Sequence, residues 1–285
     1  MMSTLEVATH APNRSVEIGG RSLAYRTIGE GKPIVLCNRF RGVMDDWDPL
    51  FLASLADRGF RVVWFDYSGL GLSTGERTYD PSKMARDPRD LVEALDLRDV
   101  VIAGWSLGGM AAQVLFATHP ERVSHVVLLG TTPPGPLVKL AEQLFFDTAA
   151  LDTYGIEEET ILFFEPRDPK SREAAKRSAA RIAARTEARS PRVPTAWAAS
   201  TLSGPRSPIF PAPAVLAALQ TTTIPVLHVA GDHDIIFPVE NWYALNQQLP
   251  TTQLLTYPRA GHGPHHEHPE ATAEHVASFV RSTAR

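Results

Sequence analysis

The sequence predicts an α/β fold, a mostly parallel eight-stranded sheet with helices on both faces and one long helical insertion. Three observations carry that reading. Short apolar runs without polar alternation recur along the chain, the pattern of strands buried on both faces. Segments of helical spacing separate them, which implies βαβ units and a parallel sheet. From about residue 134 to 220 the apolar runs stop and then resume, so 1–133 and 221–285 read as one core and 134–220 as an insertion.

In chain order, Ser15 to Ile28 alternate loosely around Gly19-Gly20, as in a hairpin with a glycine turn. Pro33 to Cys37 is a buried strand, and Trp47 to Arg58 has helical spacing that Gly59 ends. Arg61 to Asp66 is the next strand, followed by the glycine- and serine-rich turn YSGLGLSTG. Asp80 to Leu97 reads as a helix that Pro88 should interrupt.

Val100 to Ala103 is a strand that runs into Gly104-Trp105-Ser106-Leu107-Gly108 and then into a helix closed by Pro120. Val123 to Leu129 adds a strand. The insertion offers helices near 137–151, 157–164 and 171–189. A proline-rich loop from Arg192 to Pro213 follows, with Trp197 and Phe210 as anchors. Strands at Ile224–Ala230 and Gln253–Tyr257 and a helix from Ala271 to Thr283 complete the chain.

Composition narrows the function. With 285 residues, 44% hydrophobic and 21% charged, the chain has the material for a sizeable core. A net charge of −4 argues against a nucleic-acid binder or a polybasic membrane protein. The single cysteine, Cys37, lies in an apolar run and reads as a buried small hydrophobe. No apolar stretch reaches the ~18 residues of a membrane span, and MMSTLEVATHAPNR has no signal-peptide pattern, so a cytoplasmic protein is expected.

The chemistry centres on Ser106. A serine on a tight strand-to-helix corner needs glycines two before and two after it, and Gly104 and Gly108 stand there. The amide of Leu107 opens the helix, where an oxyanion would form. A serine hydroxyl also needs a base and a group to orient that base. Two loops after strands offer them: Gly231-Asp232-His233-Asp234, and Pro258-Arg259-Ala260-Gly261-His262-Gly263.

On the motif Gly104-Trp105-Ser106-Leu107-Gly108, in its strand-turn-helix setting, the sequence resembles the α/β-hydrolase family. The resemblance implies the chain order Ser106, acid, His262, with Asp234 as the acid and Asp232 buttressing the loop. It implies that 134–220 is a helical lid between the sixth and seventh strands. It also places the second oxyanion donor at the amide of Phe40. There the chain reads Cys37-Asn38-Arg39-Phe40-Arg41-Gly42 where the family carries His-Gly, which puts the loop's conformation in question.

The remaining candidates each have a plain reading beside a functional one. Arg39, with Asn38 and Arg41, would bind a polar or anionic part of a substrate, or be solvated. Trp105 would line the pocket or pack under the lid. His265, His266 and His268 are expected to be solvated turn residues, because HGPHHEH lacks metal-ligand spacing, so no cofactor or metal is expected. From Arg167 to Arg192 nine Lys or Arg stand against three Asp or Glu, read as a solvated basic face.

The expected activity is that of a serine hydrolase cleaving an ester, thioester or lactone of a small-molecule acyl substrate. A C–C bond hydrolase or lyase using the same three residues, and a non-catalytic ligand receptor, are the alternatives.

Overall fold

A computed structural model describes residues 2–202, 210 and 212–284. One eight-stranded sheet organises them, in the order β1-β2-β4-β3-β5-β6-β7-β8. Its strands are β1 (Arg14–Ile18), β2 (Arg21–Ile28), β3 (Lys32–Cys37), β4 (Phe60–Phe65), β5 (Val100–Trp105), β6 (Val123–Leu129), β7 (Val226–Gly231) and β8 (Thr252–Tyr257). The β1–β2 and β2–β4 pairs are antiparallel and all other pairs are parallel.

The missing polar alternation has a direct cause. Ile34, Leu36, Val62, Trp64, Val101 and Ala103 enter one buried cluster, while Val35, Cys37, Val63, Phe65, Val100 and Ile102 enter the other. Successive side chains point to opposite faces, so a sheet covered on both sides must be apolar at every position.

The helices are α1 (Thr4–Thr9), α2 (Pro49–Ala56), α3 (Pro81–Met84), α4 (Arg86–Ala94), α5 (Leu107–Thr118), α6 (Gln143–Ala149), α7 (Ile156–Phe163), α8 (Pro169–Ala183), α9 (Thr195–Leu202), α10 (Pro213–Thr221), α11 (Glu240–Tyr243), α12 (Pro264–Glu267) and α13 (Pro269–Ser282). Several open on proline at the first position behind an aspartate cap, as at Asp48, Asp80 and Asp168.

Four expectations need correction. The break between Asp80 and Leu97 falls at Ala85, not Pro88, because Pro88 sits in the first turn of α4, where its missing N–H would have had no intrahelical partner. Helix α1, closed by a capping box between Ser3 and Glu6, was not foreseen. The stretch read as a loop after Arg192 contains α9. Its prolines at 205, 208 and 211 lie outside the described residues.

The basic run is solvated only in part: Arg167, Lys170, Lys176 and Arg177 are exposed, while others reach carboxylates of the core. Arg181 binds Asp48 at 2.5 Å, Arg185 approaches Asp45 at 3.4 Å, and Arg192 pairs with Asp46. These arginines tie the insertion to the Met44–Asp48 turn of the core, and Arg26 from β2 joins Asp45 at 2.6 Å. Among the described residues of 134–220, five helices and no strand are present.

Candidate active site

Ser106 sits between β5 and α5 with φ 59° and ψ −123°, a backbone conformation that side-chain-bearing residues rarely adopt. Its amide donates to Leu129 O at 2.9 Å, and its carbonyl accepts from Thr131 Oγ1 at 2.6 Å. The corner is held from β6, the neighbouring strand. A Cβ on Gly104 would lie 2.3 Å from Gly108 O, and one on Gly108 would lie 2.2 Å from Cys37 O. Strand, helix and the end of β3 can converge only because both positions lack a side chain.

Asp234 and His262, the expected acid and base, lie on the loops after β7 and β8. Asp234 Oδ2 is 2.7 Å from His262 Nδ1, and Asp234 Oδ1 accepts from the amides of Ile236 and Phe237 at 2.8 and 2.9 Å. Both side chains are essentially buried. With Nδ1 engaged, His262 Nε2 is buried and has no hydrogen-bond partner among the described residues. Asp232 faces outward, accepting from the Arg259 amide at 2.6 Å and contacting His233, so it joins the two loops.

Ser106 and His262 line one cavity of about 320 Å³. Phe40, Leu107, Met110 and Ile236 wall it from the core, and Phe145, Phe146, Leu162, Phe163 and Leu202 wall it from the insertion. Leu107 opens α5, so its amide is among those at a helix start without an intrahelical acceptor.

The Asn38–Gly42 loop has its own support. Asn38 Oδ1 accepts from the Arg39 amide at 2.8 Å and its Nδ2 donates to Val43 O at 2.7 Å. The positive φ in this loop falls on Arg41, at 56°, and not on Arg39. The Arg41 guanidinium donates to the carbonyls of Ala149, Leu151 and Asp152 and to Tyr154 Oη, bridging the loop to the insertion. Arg39 is buried, lines the cavity, and lies over the Phe163 ring at 4.4 Å. Neither arginine is solvated.

Trp105 does not line the cavity. Its ring is 1% exposed, and Nε1 donates to His262 O at 2.9 Å. The solvated-turn reading of His265 and His266 is likewise overturned. Both are buried, their rings 4.6 and 4.7 Å from that of Trp105. Burial holds the His266 pKa down at about 4 and that of His265 well below the usual 6.5. His268 is partly exposed and stacks on Tyr257 at 4.5 Å.

Sequence reasoning missed Gly130, where a Cβ would meet His262 O at 2.5 Å, so the end of β6 lies directly against the base loop. It also missed Tyr79, whose hydroxyl accepts from the Arg41 amide at 2.8 Å and whose ring lines the cavity. No local pattern marks either residue. Among the described residues no group of three or more His, Cys, Asp or Glu is placed to hold a metal ion, and no helix is long and apolar enough to cross a membrane.

The family model for the alpha/beta hydrolase fold matches residues 32–269. BpoC of Mycobacterium tuberculosis, named as a non-heme bromoperoxidase, is 26% identical over 269 residues, covering 92% of this chain and 98% of its own. An alpha/beta hydrolase fold protein from Chitinophaga pinensis superposes with a TM-score of 0.81 at 27% identity, over 96% of this chain and 99% of its own. The meta-cleavage product hydrolase CumD of Pseudomonas fluorescens IP01 superposes with a TM-score of 0.74 at 21% identity, over 94% and 97%.

Proposed function

Because this chain belongs to the alpha/beta hydrolase fold family, we propose that it is a serine hydrolase that cleaves a carboxylic ester, thioester or lactone through an acyl-enzyme on Ser106. The observation that carries this reading is the state of His262. Asp234 holds its Nδ1 at 2.7 Å, while Nε2 is left without a partner on a ring that lines the same cavity as Ser106. Buried ring nitrogens of His228 and His265 also lack partners, but of these histidines only His262 lines the cavity that Ser106 lines and has its other nitrogen on a carboxylate.

In the proposed reaction Ser106 Oγ attacks the substrate carbonyl as its proton passes to His262 Nε2, and Asp234 stabilises the imidazolium. The amides of Leu107 and Phe40 receive the negative charge on the carbonyl oxygen. The C–O or C–S bond breaks, His262 returns the proton to the leaving alcohol or thiol, and the acyl group remains on Ser106. Water, deprotonated by His262, then attacks the acyl carbonyl, the bond to Ser106 Oγ breaks as His262 returns the proton to that oxygen, and the acid is released. The apolar walls suit a hydrophobic acyl or alcohol portion.

Labelling by a fluorophosphonate probe tests this reading. Wild type should be modified at Ser106 and Ser106→Ala should not. A folded wild type that resists the probe at all concentrations contradicts the proposal and favours a ligand receptor on the same scaffold.

A further inference from the structure

A second cavity of about 320 Å³ adjoins the catalytic one and shares Arg39 and Tyr154 with it. The first is walled mainly by apolar side chains. The second is polar, walled by Arg39, Arg41 and Arg192 opposite Asp152, Glu159 and Thr195.

The three arginines are not equivalent. Arg41 is committed to the carbonyls and hydroxyls of the insertion. Arg192 is committed to Asp46, with which it pairs closely. Arg39 is the least committed of the three, with Asp46 as its one ion-pair contact. Its side chain is only 9% exposed, yet its sole hydrogen bond from the guanidinium among the described residues runs from Nη1 to Phe40 O at 2.9 Å. Nη2 is 3.9 Å from Asp46 Oδ1, beyond hydrogen-bond reach, and Nε is buried without a partner.

The edge formed by Nε and Nη2 is the one that accepts a carboxylate as a fork, with two parallel N–H···O bonds. Asp46 does not fill it: its nearer oxygen stays 3.9 Å from Nη2, and each of its oxygens already accepts one bond, from Arg192 and from the Val43 amide. The Phe163 and Trp105 rings lie at 4.4 and 5.1 Å from the guanidinium carbon, fixing the Arg39 group without using its donors. Of the acidic neighbours, Asp152 is exposed. Glu159 makes no ion pair within 4 Å among the described residues, and burial raises its pKa despite Arg39 and Arg192 nearby. A buried cation with open donors therefore stands where an apolar cavity meets a polar one.

We propose that Arg39, supported by Arg192, is a subsite for a carboxylate on the substrate, so that the chain acts on acyl compounds that carry a free carboxylate as well as the bond to be cleaved. The choice of acyl substrate rests on the hydrolase reading above; the anion subsite itself does not.

The first test compares p-nitrophenyl hemiesters of adipate and glutarate with p-nitrophenyl hexanoate and pentanoate, after subtraction of spontaneous hydrolysis. Wild type should favour the carboxylate-bearing ester in kcat/KM. In Arg39→Met the ratio of carboxylate to neutral ester should fall by about 10- to 100-fold, the range expected for losing hydrogen bonds to a charged group. Arg39→Lys, which keeps the charge and loses the fork, should recover part of it. Arg192→Gln, at a side chain 61% exposed, frees Asp46 to pair with Arg39 and should lower the same ratio severalfold. A ratio unchanged in both Arg39→Met and Arg192→Gln overturns the subsite.

The second test needs no turnover. Monomethyl adipate is titrated calorimetrically into Ser106→Ala and into Ser106→Ala with Arg39→Met. At least tenfold weaker binding in the double variant is expected, and equal affinity refutes the proposal. If wild type resists the fluorophosphonate but this binding difference persists, the hydrolase reading fails and the carboxylate subsite stands.

Discussion

The Trp105 indole donates to the backbone carbonyl of His262 at 2.9 Å, so the residue that precedes Ser106 holds the backbone of the proposed base. The ring is buried against Phe163, His265 and His266, which fixes the direction of that donor. This bond ties the β5 corner to the loop after β8.

Replacing Trp105 with Phe keeps most of the apolar volume and leaves the His262 carbonyl without its donor. The expected cost is about 1–3 kcal/mol of stability, read as a lowered urea midpoint. The fluorophosphonate reaction at Ser106 should slow alongside, because the loop carrying the base loses a tether. Unchanged stability together with an unchanged labelling rate contradicts this role.

Asp234→Asn should leave the protein folded while removing the charge that holds His262 in its working tautomer. By analogy with serine-histidine-aspartate enzymes in general, kcat should fall by a factor on the order of 10⁴ with KM little affected. Asp232→Asn, on the outer side of the same loop, should cost far less. Equal losses in the two variants would show that the acid has been misassigned.

The close approach at the corner makes a steric prediction. Gly108→Ala places a methyl group 2.2 Å from Cys37 O, where only backbone can yield. A loss of about 3 kcal/mol or failure to fold is expected. Gly135→Ala meets only the side-chain ends of Leu245 and Leu216, at 3.2 and 3.4 Å, and should change stability by less than about 1 kcal/mol. Thermal melts of the two proteins separate these outcomes.

Stability should fall on the acid side of neutrality. Burial lowers the pKa values of His228 to about 3, His125 and His266 to about 4, and His265 well below the usual 6.5. As pH drops below about 6.5 the unfolded chain takes up these protons and the folded chain does not, so each histidine favours unfolding. Asp66 and Glu267 act in the opposite sense. Burial raises them to about 6 and about 7, so near pH 5.5 the fold holds two protons that the unfolded chain has lost. Four against two leaves about two net protons, or about 2.7 kcal/mol of stability lost per pH unit between roughly 6 and 4.5. Denaturant midpoints across this range give the slope, and a flat or rising stability toward pH 5 contradicts the assignment.

The parts of this molecule that were legible in the sequence are those governed by short-range rules. The strands stood out because a sheet covered on both faces must be apolar at consecutive positions, as in Val100 to Ala103. The Ser106 corner was readable because the crowding at Gly104 and Gly108 excludes any side chain. Arg39 and the basic run from Arg167 to Arg192 could not be resolved by such rules. Whether an arginine is solvated depends on which carboxylates the fold brings to it, and Asp45, Asp46 and Asp48 lie more than a hundred residues away from that run. His265 and His266 misled for the same reason, since histidines in a turn look exposed until Trp47 and Trp105 are packed over them.

The covalent role of Ser106 is tested most directly by acid-quenching the enzyme within milliseconds of mixing with p-nitrophenyl butyrate and weighing its peptides. The account predicts a butyryl increment on the peptide that contains Ser106, formed with a burst of nitrophenol and absent in Ser106→Ala. Turnover that proceeds without that increment, and that survives in Ser106→Ala, would contradict it.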